Sequence, residues 1–145
     1  MEKPEVVQIE EVAIAVKEPD KAAAYFKELF GMEFPLSWQI PHEKIKVRSE
    51  KISGSQLQFI GATDPEGVVA RFIKEKGEGL NHIALRVTHI EEMVKQLKAK
   101  GVKFIPDRVV EVENKDIPLG GSKAYYIFIH PKSAYGVLIE LIEIK

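Results

Sequence analysis

Gly79-Leu80-Asn81-His82-Ile83-Ala84-Leu85-Arg86-Val87 repeats, in kind, the earlier stretch Ile9-Glu10-Glu11-Val12-Ala13-Ile14-Ala15-Val16. In both, a polar residue stands early in an alternating strand, a segment of helical period follows, and a glycine and a short apolar run close the unit. Glu11 corresponds to His82, Val16 to Val87, Gly31 to Gly101 and Phe34 to Phe104. Glu11 and His82 lie 71 positions apart and Gly31 and Gly101 lie 70 apart, so the register persists through the helix with a one-residue slip. Self-similarity at a fixed period marks a duplicated supersecondary unit.

Working outward, Val7 to Val16 alternates with Val12, Ile14 and Val16 on one face and Ile9, Glu11, Ala13 and Ala15 on the other, the period of a strand. Pro19-Asp20 opens a segment in which Ala22, Tyr25, Phe26, Leu29 and Phe30 recur at helical spacing, closed by Gly31 as a C-cap. Met32 to Leu36 reads as a short strand and Ser37 to Lys44 as a loop. Ile45 to Ile52 and Gln56 to Ile60 read as a hairpin turned at Ser53-Gly54-Ser55. Val68 to Lys76 predicts a connecting helix with Val69, Phe72 and Ile73 inward. The second copy predicts a strand from Leu80 to Val87, a helix over about Ile90 to Lys100 burying Met93, Val94 and Leu97, and short strands at Val102 to Ile105 and Val109 to Val112. A polar loop with Asn114-Lys115-Asp116 and Gly120-Gly121-Ser122 follows, then strands at Ala124 to Ile129 and Val137 to Ile144.

The predicted fold is therefore α+β, two tandem βαβββ modules over about 7–62 and 79–145, joined by a helix over about 66–77. Twisted sheets with their helices on one side leave the opposite faces open, and two such sheets form a cupped mixed sheet around a cavity for metal or substrate.

Composition bounds the function. A chain of 145 residues with 45% apolar content makes one domain, or two halves sharing a core. Twenty-one basic and 22 acidic side chains leave a net charge of -1, mixed along the chain, which predicts no nucleic-acid partner. There is no apolar run of spanning length and no export signal, so no membrane partner is expected and a cytoplasmic location is. With no cysteine, disulfides and thiolate chemistry are excluded, leaving histidine, carboxylate and amide oxygen as metal ligands.

The polar residues on the faces turned from the helices are Glu11 and His82 in the first strand of each copy, and Gln58 and Glu140 in the last. Gln58 stands between Leu57 and Phe59, and Glu140 between Ile139 and Leu141. A lone polar residue at the matching place of two apolar strands is a poor solvent face. The bland alternatives are a satisfied core histidine for His82 and an edge carboxylate for Glu11. Arg86 shares the face of His82 and either clamps a substrate carboxylate or neutralises a buried glutamate. His42, His89 and His130 suit surface or turn roles. Lys132 and Ser133 either contact a cofactor-sized substrate or shape their turn. Gly120-Gly121-Ser122-Lys123 is not a phosphate loop, because no helix follows it.

The paired modules, Asn81-His82-Ile83-Ala84, and His130-Pro131-Lys132-Ser133-Ala134-Tyr135-Gly136-Val137-Leu138-Ile139-Glu140-Leu141 resemble the vicinal oxygen chelate superfamily of glyoxalases, bleomycin resistance proteins and dioxygenases. Within it they are most similar to the methylmalonyl-CoA epimerases. The resemblance runs from Glu10 to Glu143 and implies a divalent metal, Co, Mn, Ni or Zn, held by Glu11, Gln58, His82 and Glu140. The first of these departs from the family, which has histidine where Ile-Glu-Glu-Val places Glu11. Two carboxylates, one imidazole and one amide balance a divalent ion; without it the carboxylates would repel.

The implied reaction is epimerisation of a short acyl-CoA, methylmalonyl-CoA above all, through a metal-stabilised enolate. Glu140 is the implied ligand and proton carrier, and Glu11 is a candidate second base. The third strand, where some relatives carry that base, aligns Val47, with Glu43 and Glu50 nearby. Arg86, Lys132 and Ser133 are the candidate substrate contacts, and a homodimer is implied. The alternatives are a glyoxalase-type isomerase or lyase, an Fe(II) dioxygenase, which wants two histidines and one carboxylate, and a metal-free small-molecule-binding protein.

Overall fold

A computed structural model describes residues 2–112 and 122–145. The loop residues 114–116 and 120–121 singled out above lie outside them. Among the described residues there are eight strands and three α-helices: β1 (Val6–Ala15), α1 (Pro19–Phe30), β2 (Leu36–Ile40), β3 (Ile45–Ile52), β4 (Ser55–Ala62), α2 (Val68–Lys76), β5 (Gly79–Val87), α3 (Ile90–Ala99), β6 (Phe104–Val112), β7 (Ala124–Ile129) and β8 (Ile139–Ile144). Hydrogen bonding orders the strands β2-β3-β4-β1 in the first copy and β5-β8-β7-β6 in the second, giving the expected α+β pattern of β-α-β-β-β twice over. None of these helices is long and apolar enough to cross a membrane.

Two compact units divide the chain, Glu11–Asn81 and Met1–Glu10 with His82–Lys145. In the first, β1 runs parallel to β4, and β4 antiparallel to β3, which pairs with β2. Alternation sends Ile14, Val16, Leu57 and Phe59 to α1, where Phe26 sets its ring edge-on to Phe59 at 4.8 Å. It sends Ala13, Ala15, Val47 and Ile60 to the other face, where Val69, Phe72 and Ile73 of α2 cover them as predicted.

The helix α1 begins with proline at its first turn and ends at Gly31 in the left-handed region, φ 71°, whose N–H reaches the Lys27 carbonyl at 2.8 Å. The expected apolar stripe is only partly an interior one. Ala22, Ala23 and Phe26 pack inward, whereas Tyr25, Leu29 and Phe30 stay exposed. A buried stripe is set by what faces it, and Phe34 with Phe59 fills the space beside Phe26 alone.

Two expectations in this unit need correction. The strand after α1 is not Met32 to Leu36 with a loop beyond; it is β2, Leu36–Ile40, followed by a 3-10 turn at Pro41–Glu43. Phe34 has φ 47° and Pro35 follows it with no N–H to pair, so extended pairing starts only at Leu36. The hairpin turn is the two-residue Ser53-Gly54, because Ser55 already pairs with Ile52.

The close seat of Pro19 on β4 makes a stability prediction. A Cβ at Gly61 would stand 2.7 Å from both Cδ and Cγ of Pro19 and 3.2 Å from the Val16 carbonyl oxygen. Gly61→Ala is expected to cost about 1–3 kcal/mol by overpacking, read as a lower urea midpoint at unchanged slope. An unshifted midpoint would mean that α1 moves aside freely.

In the second unit β8 lies between β5, parallel, and β7, antiparallel, with β6 beyond. Leu85, Val87, Ile127, Ile139 and Leu141 bury Met93, Val94 and Leu97 of α3, as expected. The carboxylate of Glu143 accepts the backbone N–H groups of His89 and Ile90 at 3.0 and 3.1 Å, capping α3 from 54 residues away. The two short strands expected around residue 106 are one, β6, with a register shift between Ile105 and Val110, where Pro106 offers no donor. The last strand starts at Ile139 rather than Val137, because Tyr135 and Gly136 have positive φ and the Val137 N–H closes the turn onto the Ala134 carbonyl at 3.0 Å.

Candidate functional site

Because Leu85 and Val87 face α3, the alternate residues His82, Ala84 and Arg86 of β5 face the side that α3 leaves bare. On β8 the same rule turns Ile139 and Leu141 toward α3 and Glu140 away from it. Glu140 lies in register between Ala84 of β5 and Phe128 of β7. His82 meets the edge of Phe128 at 5.5 Å between ring centres, and its Nε2 stands 3.7 Å from Glu140 Oε1. Both are nearly buried, 9% and 8% exposed, on a face otherwise lined by Ala84, Ala124, Ile142 and Tyr126. Burying a carboxylate and an imidazole in an apolar wall is costly unless they pair or bind an ion.

Arg86 approaches a residue that sequence reasoning did not single out. Its guanidinium lies 3.8 Å from Oε1 of Glu10, a carboxylate 7% exposed that also accepts from Gln8 Nε2 at 3.2 Å. Arg86 thus neutralises a buried glutamate, one of the two roles open to it.

In the unit Glu11–Asn81, Glu11 and Gln58 come together: Gln58 Nε2 donates to Glu11 Oε2 at 2.8 Å. The amide thus turns its nitrogen, not its oxygen, toward the carboxylate. Val47 lies 3% exposed in the apolar cluster beneath α2, which leaves no base at that position. Glu50 accepts the Glu33 N–H at 3.1 Å, and Glu43 lies in the 3-10 turn beside His42, 3.8 Å away.

Turn roles fit the remaining candidates. His130 Nδ1 accepts the Lys132 N–H at 3.0 Å, and Ser133 Oγ accepts the Lys103 N–H at 3.0 Å, bracing the start of the loop into β8. Lys132 is itself exposed. His89 caps α3 with φ 49°, its ring 3.1 Å from Glu2.

The described residues thus hold two pairs of candidate ligands, His82 with Glu140 at 3.7 Å and Glu11 with Gln58 at 2.8 Å, one pair in each unit. Two donors bonded to one ion at about 2.1 Å stand roughly 3 Å apart when adjacent and roughly 4.2 Å when opposite. Imidazole nitrogen with carboxylate oxygen suits a first-row divalent ion, so the residues present fit such a group in charge and spacing.

Comparison with known proteins points the same way. Residues 10–119 match the family model described as Glyoxalase/Bleomycin resistance protein/Dioxygenase superfamily. The chain is 27% identical over 135 residues to a human protein named methylmalonyl-CoA epimerase, mitochondrial, covering 92% of this chain and 72% of that one. The crystal structure of methylmalonyl-CoA epimerase from Mycobacterium tuberculosis superposes with a TM-score of 0.80 at 28% identity, over 95% of this chain and 88% of the other. A Streptomyces coelicolor methylmalonyl-CoA epimerase variant, in complex with 2-nitronate-propionyl-CoA, shares the fold with a TM-score of 0.82 at 23% identity, over 96% and 95% of the two chains.

Proposed function

We propose that this chain, which belongs to the glyoxalase/bleomycin resistance protein/dioxygenase superfamily, is an isomerase that epimerises a short acyl-CoA, methylmalonyl-CoA foremost, with a divalent metal held by Glu11, Gln58, His82 and Glu140. The observation that carries this reading is the buried Glu140 beside His82 at 3.7 Å, a carboxylate and an imidazole at the spacing of two ligands of one ion. The epimerase names of the human and mycobacterial relatives supply the substrate class.

The substrate's C2–H lies between a thioester and a carboxylate and is weakly acidic. A divalent ion bound there would supply Lewis-acid stabilisation of the negative charge that grows as the proton leaves. The chain's own residues do the rest. Inversion needs a base for one face of C2 and an acid for the other. Glu140 takes one of these roles, since its neighbours Ala84, Phe128 and Ile142 are apolar and keep water from competing for the proton. Glu11 takes the second, as the other carboxylate of the proposed ligand set, held by the Gln58 amide. Arg86, with 37% of its side chain exposed, balances Glu10 and presents its outer N–H groups to the substrate carboxylate. One imidazole and two carboxylates are the wrong set for the two-histidine, one-carboxylate triad of an Fe(II) dioxygenase.

Proton NMR of methylmalonyl-CoA in D2O tests the proposal. With the protein and Co(II), the C2 proton signal is expected to vanish, and to persist when metal is withheld. Metal bound without exchange would eliminate this substrate, and neither binding nor exchange would eliminate the metalloenzyme reading.

A further inference from the structure

We propose that Ser49 and Gln56 are positioning residues that fix the direction of the Gln58 amide and through it the Glu11 carboxylate; this rests on reading Glu11 and Gln58 as metal ligands. The four side chains form one hydrogen-bonded row on the face of β1, β3 and β4 opposite α1. Ser49 Oγ donates to Gln56 Oε1 at 2.7 Å, Gln58 Nε2 donates to the same oxygen at 3.2 Å, and Gln58 Nε2 donates to Glu11 Oε2 at 2.8 Å.

Strand register makes the row. Gln56 stands opposite Glu11 and Gln58 opposite both Ala13 and Ser49, so each hydrogen bond from a β4 glutamine runs along or diagonally across the pleat. Ala13 offers no competing polar group. Ser49 is 0% exposed, so its hydroxyl finds its partner in the protein rather than in bulk water.

Each bond then dictates the next. A carboxylate oxygen only accepts, so Gln58 must face Glu11 with nitrogen. The second N–H of that amide requires an acceptor, so Gln56 must present its carbonyl oxygen. A serine hydroxyl 2.7 Å from that oxygen must donate. Turning Gln58 over would bring two acceptors face to face and turning Gln56 over two donors, either at a cost comparable to an unmade buried hydrogen bond, about 1–3 kcal/mol. With both N–H groups of Gln58 committed, its carbonyl oxygen is the atom left to face a cation, and hard divalent ions prefer oxygen.

The test uses Ser49→Ala and the near-isosteric Gln56→Met, with Ser49→Thr as the conservative rescue. In the metal-free protein, the Gln58 side-chain amide protons should exchange slowly with solvent by 15N-edited NMR, and at least ~10-fold faster in the first two variants. Groups that orient a metal ligand typically contribute about 10–100-fold to affinity, so Co(II) should bind that much more weakly, with its visible bands displaced. Ser49→Thr should restore both. Unchanged amide exchange and unchanged Co(II) binding in Ser49→Ala and Gln56→Met would overturn the proposal. If even the unaltered protein binds no Co(II), the metal site itself falls, and the amide exchange alone then decides whether the relay orients Gln58.

Discussion

Glu140→Gln is expected to abolish turnover while preserving the fold, lowering the rate of C2 exchange by about 10²- to 10⁴-fold, the range for loss of a positioned acid or base. The substitution keeps the shape and leaves an amide oxygen able to ligate, so it removes chiefly the negative charge and the proton-accepting atom. Because Glu140 lies 8% exposed between Ala84 and Phe128, water has little room to replace it. The readouts are the deuterium exchange rate and Co(II) affinity measured side by side. Lost exchange with Co(II) still bound assigns Glu140 the proton. An exchange rate within about fivefold of the unaltered enzyme would remove it from the mechanism.

Glu11→Gln carries the second large effect, and it tests the departure from the family pattern. The carboxylate supplies one of the two negative charges of the proposed ligand set and accepts from Gln58. Residues that only orient a ligand cost about 10–100-fold in metal affinity when changed, so loss of a charged ligand should cost about 100-fold or more. The amide oxygen can still accept from Gln58, so the relay from Ser49 is kept and the change removes chiefly the charge. Isothermal titration with Co(II) measures the loss. If metal binding and turnover both survive, Glu11 is neither ligand nor base, and its bond to Gln58 is only structural.

Much of this was legible in the sequence for a definite reason. Strand period is strict, so Glu11, Gln58, His82 and Glu140 could be assigned to a face before any coordinates; His82 and Glu140 lie opposite α3, and Glu11 and Gln58 lie opposite α1 on a face that α2 partly covers. Helices α2 and α3 bury the residues that their spacing marks. What escaped notice was non-local or ambiguous. β2 starts four residues later than expected because Phe34 and Pro35 look like strand residues until the positive φ of Phe34 is known. Glu143 reads as a solvent carboxylate, and its service to α3 depends on pairing across 54 residues. Ser49 and Gln56 carry no signature, since an isolated serine or glutamine in a strand reads equally well as surface. Glu10 and Glu11 are chemically identical neighbours, and only geometry gives one to Arg86 and the other to Gln58.

The strand that carries Glu140 has a consequence for the order in which the molecule can take shape on the ribosome. The unit Glu11–Asn81 is one uninterrupted stretch, and its strands can pair as soon as that stretch has emerged. The other unit gathers Met1–Glu10 with His82–Lys145, and within it β8 is flanked by β5 and β7, both made earlier. β7 can pair with β6 beforehand, but the join between β5 and β7 waits until β8 is translated, and α3 waits for its cap, because Glu143 arrives on the same strand. Folding units assemble as they are synthesised. The Glu11–Gln58 bond can therefore form early, whereas His82 and Glu140 meet only once β8 has been made.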